Sequence, residues 1–297
     1  MAPRKKNRRQ LTPEQRQERL NAAYDTLSAA VEKLTTADGW EQMLTRRAWL
    51  RRYSLGNLLM ILAQREDATD VRSYGDWRTA GRHVRKGERG IRILAPLRYR
   101  ERDEDGNPLT NPDSDTPRYR VRGFTVVSVF DISQTDGPPL PEDTHGPRLM
   151  EGAAPDRLWD ATADQITGRG YTVERGDTDP ANGWVRFDTR TVRVSDTLPD
   201  AHAAKTAIHE LAHIWCEHDT RDIPRQVREI EAESVACLVC SLVGLDSLPY
   251  SVPYVAGWAK DAETARATAE RVLTVADAIA DVLSATVAMP APDTAPA

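Results

Sequence analysis

His209-Glu210-Leu211-Ala212-His213 is the stretch that decides the C-terminal part of the fold, and it lies in a run, 200–219, whose pattern predicts one helix. Residues four apart lie on the same face of a helix, one turn from each other. Both imidazoles can therefore reach one metal ion, while Glu210 projects beside it. The rest of the run is largely apolar, and Pro199-Asp200 can begin the helix, so we expect it to be buried.

The two histidines and the glutamate form the HExxH signature of zinc hydrolases. A catalytic zinc ion usually has three protein ligands and leaves a fourth position for water. The sequence therefore predicts Zn²⁺ at His209 and His213, with Glu210 as the catalytic base. Such a catalytic site also requires a third protein ligand nearby.

Three acids supply candidates for that ligand, because a second predicted helix, 225–240, carries Glu229, Glu231 and Glu233 before an apolar run. A buried carboxylate is costly without a partner, and a zinc ion would be that partner. The spacing resembles the gluzincin arrangement, which implies Glu229 as the ligand and Glu233 as the acid that orients a histidine. Registers of this helix in which Glu231 or Glu233 is the ligand remain open, and Cys216 could compete as a metal ligand.

Length and composition indicate a two-domain protein of 297 residues, 40% hydrophobic and 29% charged. No apolar run approaches the roughly 20 residues of a membrane span, and the first residues lack the apolar core of a signal peptide. Three cysteines cannot all pair with one another, which suits a reducing compartment. We therefore expect a cytoplasmic protein with no membrane partner.

Charge is unevenly distributed along the chain. Residues 1–100 contain 22 Lys and Arg against 11 Asp and Glu, a net charge of +11, whereas the remainder has a net charge of −16. Such a basic segment favours association with nucleic acid, although it says nothing about the fold.

Hydrophobic periodicity predicts an α+β fold with helices and strands in both halves. The predicted helices are 12–35, 39–51, 55–64, 158–167, 200–219, 225–240 and 261–283. The predicted strands are 91–97, 119–129, 171–175 and a hairpin over 183–194. The last three strands predict a small sheet beside the metal helix.

The N-terminal half mixes cations with aromatic residues, as single-stranded nucleic acid binding sites do. Arg51 and Arg52 precede Tyr53, and a glycine-flanked basic turn over 82–90 leads into the strand that carries Arg92. Backbone amides and cations in such a turn can approach phosphate groups. A plain hairpin and a solvated arginine face remain the alternatives.

Four ordered motifs in this half resemble the N-terminal domain of the ArdC antirestriction proteins: Tyr53-Ser54 with Asn57, Trp77 with Gly81, 84–96, and 129–135. The resemblance covers roughly residues 12–137. It implies a single-stranded DNA-binding domain followed by a zincin-like metallopeptidase domain. In the second domain, 231–236 looks closer to the ImmA/IrrE type of metallopeptidase. The residues assigned to DNA binding are Arg51, Arg52, Tyr53, Asn57, Trp77, Arg85, Lys86, Arg89 and Arg92.

The domain organisation predicted from these features has five parts. They are a disordered basic arm (1–11), an ArdC-like single-stranded DNA-binding domain (12–137), a linker rich in proline and glycine (138–152), a zincin-like metallopeptidase domain (153–286) and a disordered tail (287–297).

Three functions fit these features. The favoured one is a zinc metallopeptidase coupled to a single-stranded DNA-binding domain, in which zinc-activated water hydrolyses a peptide bond of a protein or peptide substrate. The alternative is a non-enzymatic, single-stranded DNA-binding antirestriction protein with a structural zinc site. A third is a repressor-cleaving type of peptidase whose N-terminal domain binds protein instead of DNA. The glutamate of HExxH favours the first, because structural zinc sites are more often formed by cysteines.

Overall fold

The structure, a computed structural model, describes residues 11–102, 107–110, 116–140, 157–245, 259 and 261–286. The predicted arm (1–11), linker (138–152) and tail (287–297) fall largely or wholly outside these residues. The fold is mixed α+β, as predicted. The chain forms two compact units, one of Met1–Ala30 with Leu59–Leu140 and one of Val31–Leu58 with Pro141–Ala297.

The described N-terminal part begins with three helices and continues with short and long strands, with one short helix between the first two strands. In chain order they are α1 (Pro13–Lys33), α2 (Ala37–Arg47), α3 (Leu55–Gln64), β1 (Val71–Ser73), α4 (Tyr74–Thr79), β2 (His83–Val84), β3 (Ile91–Arg100), β4 (Tyr119–Asp131) and β5 (Thr135–Asp136). A 3-10 turn, Ile132–Gln134, joins β4 to β5.

The first unit has a three-stranded antiparallel sheet of order β1-β4-β3 and a two-stranded antiparallel sheet formed by β2 and β5. Ile91 lies opposite Val129, and both are buried. Trp77 on α4 is fully buried, and its indole N–H donates a hydrogen bond of 2.8 Å to the carbonyl oxygen of Phe130. This bond satisfies the polar group of a core aromatic ring.

The C-terminal part carries a small sheet and four helices. In chain order its elements are α5 (Leu158–Gly168), β6 (Thr172–Gly176), β7 (Gly183–Arg186), β8 (Thr191–Ser195), α6 (Asp200–Trp215), α7 (Arg225–Val243) and α8 (Ala262–Thr286). The sheet has the order β6-β8-β7, with β6 parallel and β7 antiparallel to β8. Val192 and Val194 on the central strand are fully buried.

Residues 31–58 pack with the C-terminal part, whereas the predicted domain boundary placed them in an N-terminal domain ending at 137. The indole N–H of Trp40 donates to the hydroxyl of Ser234 on α7 at 3.1 Å. The Arg47 guanidinium forms an ion pair of 2.5 Å with Asp277 on α8. These contacts are far apart in sequence, so periodicity could not predict them.

The helix that carries the HExxH motif, α6, ends at Trp215, and the predicted helix 200–219 is wrong for its last four residues. Cys216 is the C-terminal cap, and Glu217 adopts a left-handed conformation with φ of 57°. A left-handed residue ends a helix and reverses the chain. Leu211 and the small residues of α6 face the core, since Ala203, Ala207 and Leu211 are essentially buried.

No helix in the described ranges is long and apolar enough to cross a membrane.

Candidate functional site

Three side chains from α6 and α7 converge in the C-terminal unit. The Nε2 atoms of His209 and His213 are 3.2 Å apart. Glu229 Oε2 lies 3.6 Å from the His209 nitrogen and 3.7 Å from the His213 nitrogen. The helical spacing of the histidines aligns their rings, and the packing of α7 on α6 brings the carboxylate to them.

The triangle formed by these donor atoms fits a divalent metal ion. In a tetrahedral site with bonds of about 2.0–2.1 Å, neighbouring donor atoms are about 3.3–3.4 Å apart. The observed sides of 3.2, 3.6 and 3.7 Å bracket that value. Two imidazoles and a carboxylate are also the ligand set of many catalytic zinc sites.

The other two acids of α7 point elsewhere. Glu233 Oε2 lies 3.2 Å from Nδ1 of His209, and its Oε1 accepts a hydrogen bond of 2.8 Å from Lys205. Glu233 can therefore orient His209 while its Nε2 faces the metal position. Glu231 is fully buried and accepts hydrogen bonds from His218 and Arg221. Among the described contacts it has none with His209 or His213.

His218 is a site residue that the sequence interpretation missed. Its side chain is fully buried, and its Nδ1 lies 2.7 Å from Nδ1 of His213. The predicted helix would have placed it five residues beyond His213, about 140° around the axis. The early end of α6 and the left-handed Glu217 bring it back against His213.

Glu210 lies beside the triangle, 5% exposed, next to the N-terminus of β7. Burial raises the pKa of Glu210 to about 7, although the nearby His209 partly opposes the shift. A carboxylate with this pKa can both accept and return a proton near neutral pH. Glu210 also borders a cavity of about 480 Å³ that reaches His209, His213 and Glu229.

The acids of the site strengthen proton binding by His209, so a metal ion must compete with a proton for this ring. Burial lowers the pKa of His209, but the nearby carboxylates of Glu229 and Glu233 outweigh it and raise the pKa to about 10. The nearby rings of His209 and His213 lower the pKa of Glu229. In the metal-free protein the raised pKa of His209 favours a proton on this ring, between the two carboxylates.

A second candidate site is a basic cleft of about 900 Å³ in the N-terminal unit. Its cationic lining residues are Arg19, Arg65, Arg89 and Arg92. Arg89 and Arg92 are exposed, and so is Lys86 in the turn that precedes them. Arg85 is exposed too, but it is paired with Glu88 at 2.8 Å and Asp136 at 3.4 Å.

The remaining residues assigned to DNA have other surroundings. Trp77 is fully buried, so its ring has no exposed face for a base, and we assign it to the core. Arg51 forms ion pairs with Asp277 and Asp281 of α8, which occupy its guanidinium. Arg52, Tyr53 and Asn57 lie in the C-terminal unit, and the Arg52 guanidinium stacks 5.4 Å from the Tyr53 ring centre.

Exposed aromatic rings occur instead on the ribbon formed by β3 and β4. Tyr99, Tyr119 and Phe124 are 49%, 57% and 45% exposed. The same ribbon carries exposed Arg98, Arg100, Arg120 and Arg122. The sequence prediction placed Tyr119 and Phe124 in a strand and left Tyr99 beyond the end of the predicted strand 91–97. The neighbouring arginines were a readable signal that these rings could bind DNA.

A family model for the N-terminal domain of the anti-restriction factor ArdC matches residues 14–130. Among curated proteins, an uncharacterised protein of Bacillus anthracis is 25% identical over 252 residues, covering 71% of this chain and 41% of the relative. The DNA primase TraC of Escherichia coli is 25% identical over 236 residues, covering 71% of this chain and 21% of the primase. The chain therefore spans less than half the length of these relatives.

Two crystal structures of a plasmid-encoded antirestriction ArdC protein share the fold. The metal-free one has a TM-score of 0.52 at 20% identity, covering 87% of this chain and 99% of the other. The Mn(II)-bound one has a TM-score of 0.50 at 21% identity, covering 78% and 85%. The similarity to ArdC thus extends beyond the N-terminal segment at the level of the fold.

Proposed function

We propose that this protein, which contains an ArdC-type N-terminal domain, is an antirestriction protein that binds single-stranded DNA and a divalent cation. The match of residues 14–130 to the ArdC domain carries the proposal. The favoured prediction from sequence, a peptidase, becomes the second candidate, because the comparisons support the antirestriction alternative.

The thiols of Cys216, Cys237 and Cys240 are unbridged, which agrees with a cytoplasmic location.

The basic cleft and the β3–β4 ribbon support single-stranded DNA as the ligand. Cations that line a groove attract phosphates without regard to sequence, and exposed aromatic rings stack on unpaired bases. Arg89 and Arg92 supply the first property, and Tyr99 and Tyr119 supply the second. Duplex DNA offers no exposed base faces, so the ribbon favours single strands.

A salt titration of binding to a fluorescent single-stranded oligonucleotide tests this proposal. Affinity should fall steeply with salt, and Arg89→Ala and Arg92→Ala should each reduce the slope by about 0.7. Tyr99→Ala should weaken binding by about 1–3 kcal/mol and leave the slope unchanged. Arg186→Ala, an exposed arginine of the C-terminal unit, is the matched control. Binding that is independent of salt would contradict the proposal.

For the metal, we propose a divalent cation held by His209, His213 and Glu229. The donor triangle and the paired helices support this assignment. Zinc suits the ligand set, and the Mn(II)-bound ArdC structure makes manganese the competing ion. Elemental analysis of protein purified without added metal distinguishes them. Glu229→Ala should lose the metal, whereas Glu270→Ala, at a half-exposed acid of α8, should keep it.

The second candidate function is peptide hydrolysis, and the specific observation that favours it is Glu210. This buried acid, with its pKa raised to about 7, borders the cavity that reaches the donor triangle. A metal ion bound there would lower the pKa of its water and polarise a substrate carbonyl. A metal site with a purely structural role would not require a buried acid at this position.

In this mechanism, Glu210 accepts the proton from the attacking water and later donates it to the leaving amine. Burial keeps the carboxyl away from bulk water, so the proton stays at the site. Among the described residues β7 pairs with β8 on one side only, so its other edge can hold an extended substrate by main-chain hydrogen bonds.

Glu210→Gln tests the candidate. The variant should bind the metal as the wild type does but cleave no unfolded protein substrate, because an amide cannot accept the proton. Glu270→Gln, at a half-exposed acid of α8, should leave cleavage intact. Equal cleavage by wild type and Glu210→Gln would exclude the assigned base. A metal-loaded wild type that cleaves nothing would support the non-enzymatic function.

A further inference from the structure

His218 lies on the segment between α6 and α7 and forms a buried chain with three other side chains. Its Nδ1 is 2.7 Å from Nδ1 of His213, and its Nε2 is 2.9 Å from Glu231 Oε2. Arg221 donates to both oxygens of Glu231, at 2.5 and 3.0 Å. The side chains of His218 and Glu231 are fully buried.

Metal binding would determine where the protons of this chain lie. His213 faces Glu229 and His209 with Nε2, so binding a metal through that atom leaves the hydrogen on Nδ1. His213 then donates to Nδ1 of His218. His218 in turn must carry its hydrogen on Nε2, where it donates to Glu231. The carboxylate accepts from His218 and Arg221, so each imidazole N–H of the chain has an acceptor.

The group could instead be read as a second metal site, because ligand atoms of Cys216, His218 and Glu231 lie within 4.8 Å of one another. The Arg221 guanidinium argues against that interpretation. It occupies both oxygens of Glu231 and places a permanent positive charge where a second cation would sit. Both ring nitrogens of His218 are also engaged.

The hydrogen-bonded chain of His213, His218, Glu231 and Arg221 connects the two helices that carry the metal donors. Glu231 is two residues from Glu229 on α7, about 200° around the helix, so one acid faces the donor triangle while the other faces His218. A contact from His213 to Glu231 through His218 therefore orients a ring on α6 and holds α7 in the register that points Glu229 at the same ion. A buried charged chain is costly to break, which favours this single arrangement.

We propose that His218 is a positioning residue for the metal ligand His213, and that it acts through the His213–His218–Glu231–Arg221 chain. This inference rests on the proposed metal site but not on peptide hydrolysis. Metal-bound imidazoles commonly donate their second N–H to an acceptor that fixes the ring, and loss of that acceptor typically weakens metal binding by about 10–100-fold. Here the acceptor is another histidine, itself held by a buried ion pair.

The test measures Zn²⁺ affinity of the full chain by competition with a chelator. His218→Phe fills the space but accepts nothing, so Zn²⁺ should bind about 10–100-fold more weakly. His218→Gln has a carbonyl for His213 and an N–H for Glu231, so it should recover most of the affinity. His83→Phe removes an exposed histidine from the other unit and should change nothing.

Two spectroscopic readouts separate positioning from a general loss of structure. The visible spectrum of Co²⁺-substituted protein reports ligand geometry, and it should change in His218→Phe and return in His218→Gln. In Zn²⁺-bound wild type labelled with ¹⁵N, a scalar coupling across the hydrogen bond should join Nδ1 of His213 to Nδ1 of His218. This measurement needs no variant, so it decides the question even when His218→Phe does not fold.

Unchanged Zn²⁺ affinity and an unchanged Co²⁺ spectrum in His218→Phe would overturn the inference, and so would the absence of the coupling in the wild type. A wild type that binds no divalent metal would overturn both this inference and the proposed metal site. A wild type that binds Zn²⁺ without cleaving protein would remove only the peptidase candidate, and the positioning role would stand.

Discussion

Metal binding at the His209–His213–Glu229 triangle should release a proton from His209 and should therefore depend strongly on pH. Burial lowers the pKa of His209, but Glu229 and Glu233 outweigh it and raise the pKa to about 10. At pH 7 the metal-free protein carries a proton on this ring. A metal ion binds the neutral ring, so it must displace that proton.

The size of the effect follows from the distance between the working pH and this pKa. At pH 7 the ring is about three pH units below its pKa, so protonation reduces the apparent metal affinity about a thousandfold, or about 4 kcal/mol. The proton is bound in the metal-free state and lost in the bound state. Affinity should therefore rise about tenfold for each pH unit between 7 and 9, and the rise should end near pH 10.

Chelator competition at several pH values measures this slope, and calorimetry in two buffers of different ionisation enthalpy counts the released protons. At least one proton should be released for each metal ion at pH 8. Titration of the imidazole signals by NMR in the metal-free protein gives the pKa of His209 directly. In Glu233→Gln, one of the two carboxylates is removed, so that pKa should fall and the slope should flatten at a lower pH.

Two results would refute this reasoning. The first is a metal affinity that stays constant between pH 7 and 9. The second is a His209 signal that titrates near pH 6.5 in the metal-free protein, which would mean that the carboxylates do not hold the ring as the distances of 3.6 and 3.2 Å imply.

Two further predictions concern the packing around α6. Leu211→Ala removes a fully buried side chain and should lower the free energy of unfolding by about 2–5 kcal/mol in urea denaturation, whereas Val282→Ala, 46% exposed in wild type, should change it by less than about 0.5 kcal/mol. Gly183→Ala would place a methyl group 2.7 Å from Thr206 Cγ2, so it should destabilise the protein by about 1–3 kcal/mol. Gly168→Ala, with open space around it, should not; equal effects of the two would contradict this account of the packing.

The sequence by itself was sufficient for the α+β class and for most of the elements. The helix Leu55–Gln64 has the predicted bounds, and the strands that begin at Ile91 and Tyr119 start where alternation placed them. It was also sufficient to place His209 and His213 on one helical face. These features are local, because helix period, strand alternation and chain breakers act over a few residues. The resemblance to the ArdC N-terminal domain was likewise readable from ordered motifs, and the family match over 14–130 confirms it.

Tertiary structure alone decided the roles of the three acids. Glu229, Glu231 and Glu233 look equivalent in sequence, yet one faces both imidazole Nε2 atoms, one faces His218, and one faces Nδ1 of His209. Their roles depend on the rotation and register of α7 against α6, which long-range packing sets. Long-range packing within each unit also buries Trp77 and pairs Arg51 with α8, against their assignment to DNA.

The contact between His218 and His213 is the clearest feature that sequence periodicity could not predict. An unbroken helix would have turned His218 away from His213, whereas a single left-handed residue, Glu217, returns it to 2.7 Å. A glutamate in the sequence does not predict a left-handed backbone conformation, because surrounding contacts must stabilise it. The sequence thus determined which residues could bind a metal, and the docking of α7 with the turn after α6 decided which of them meet.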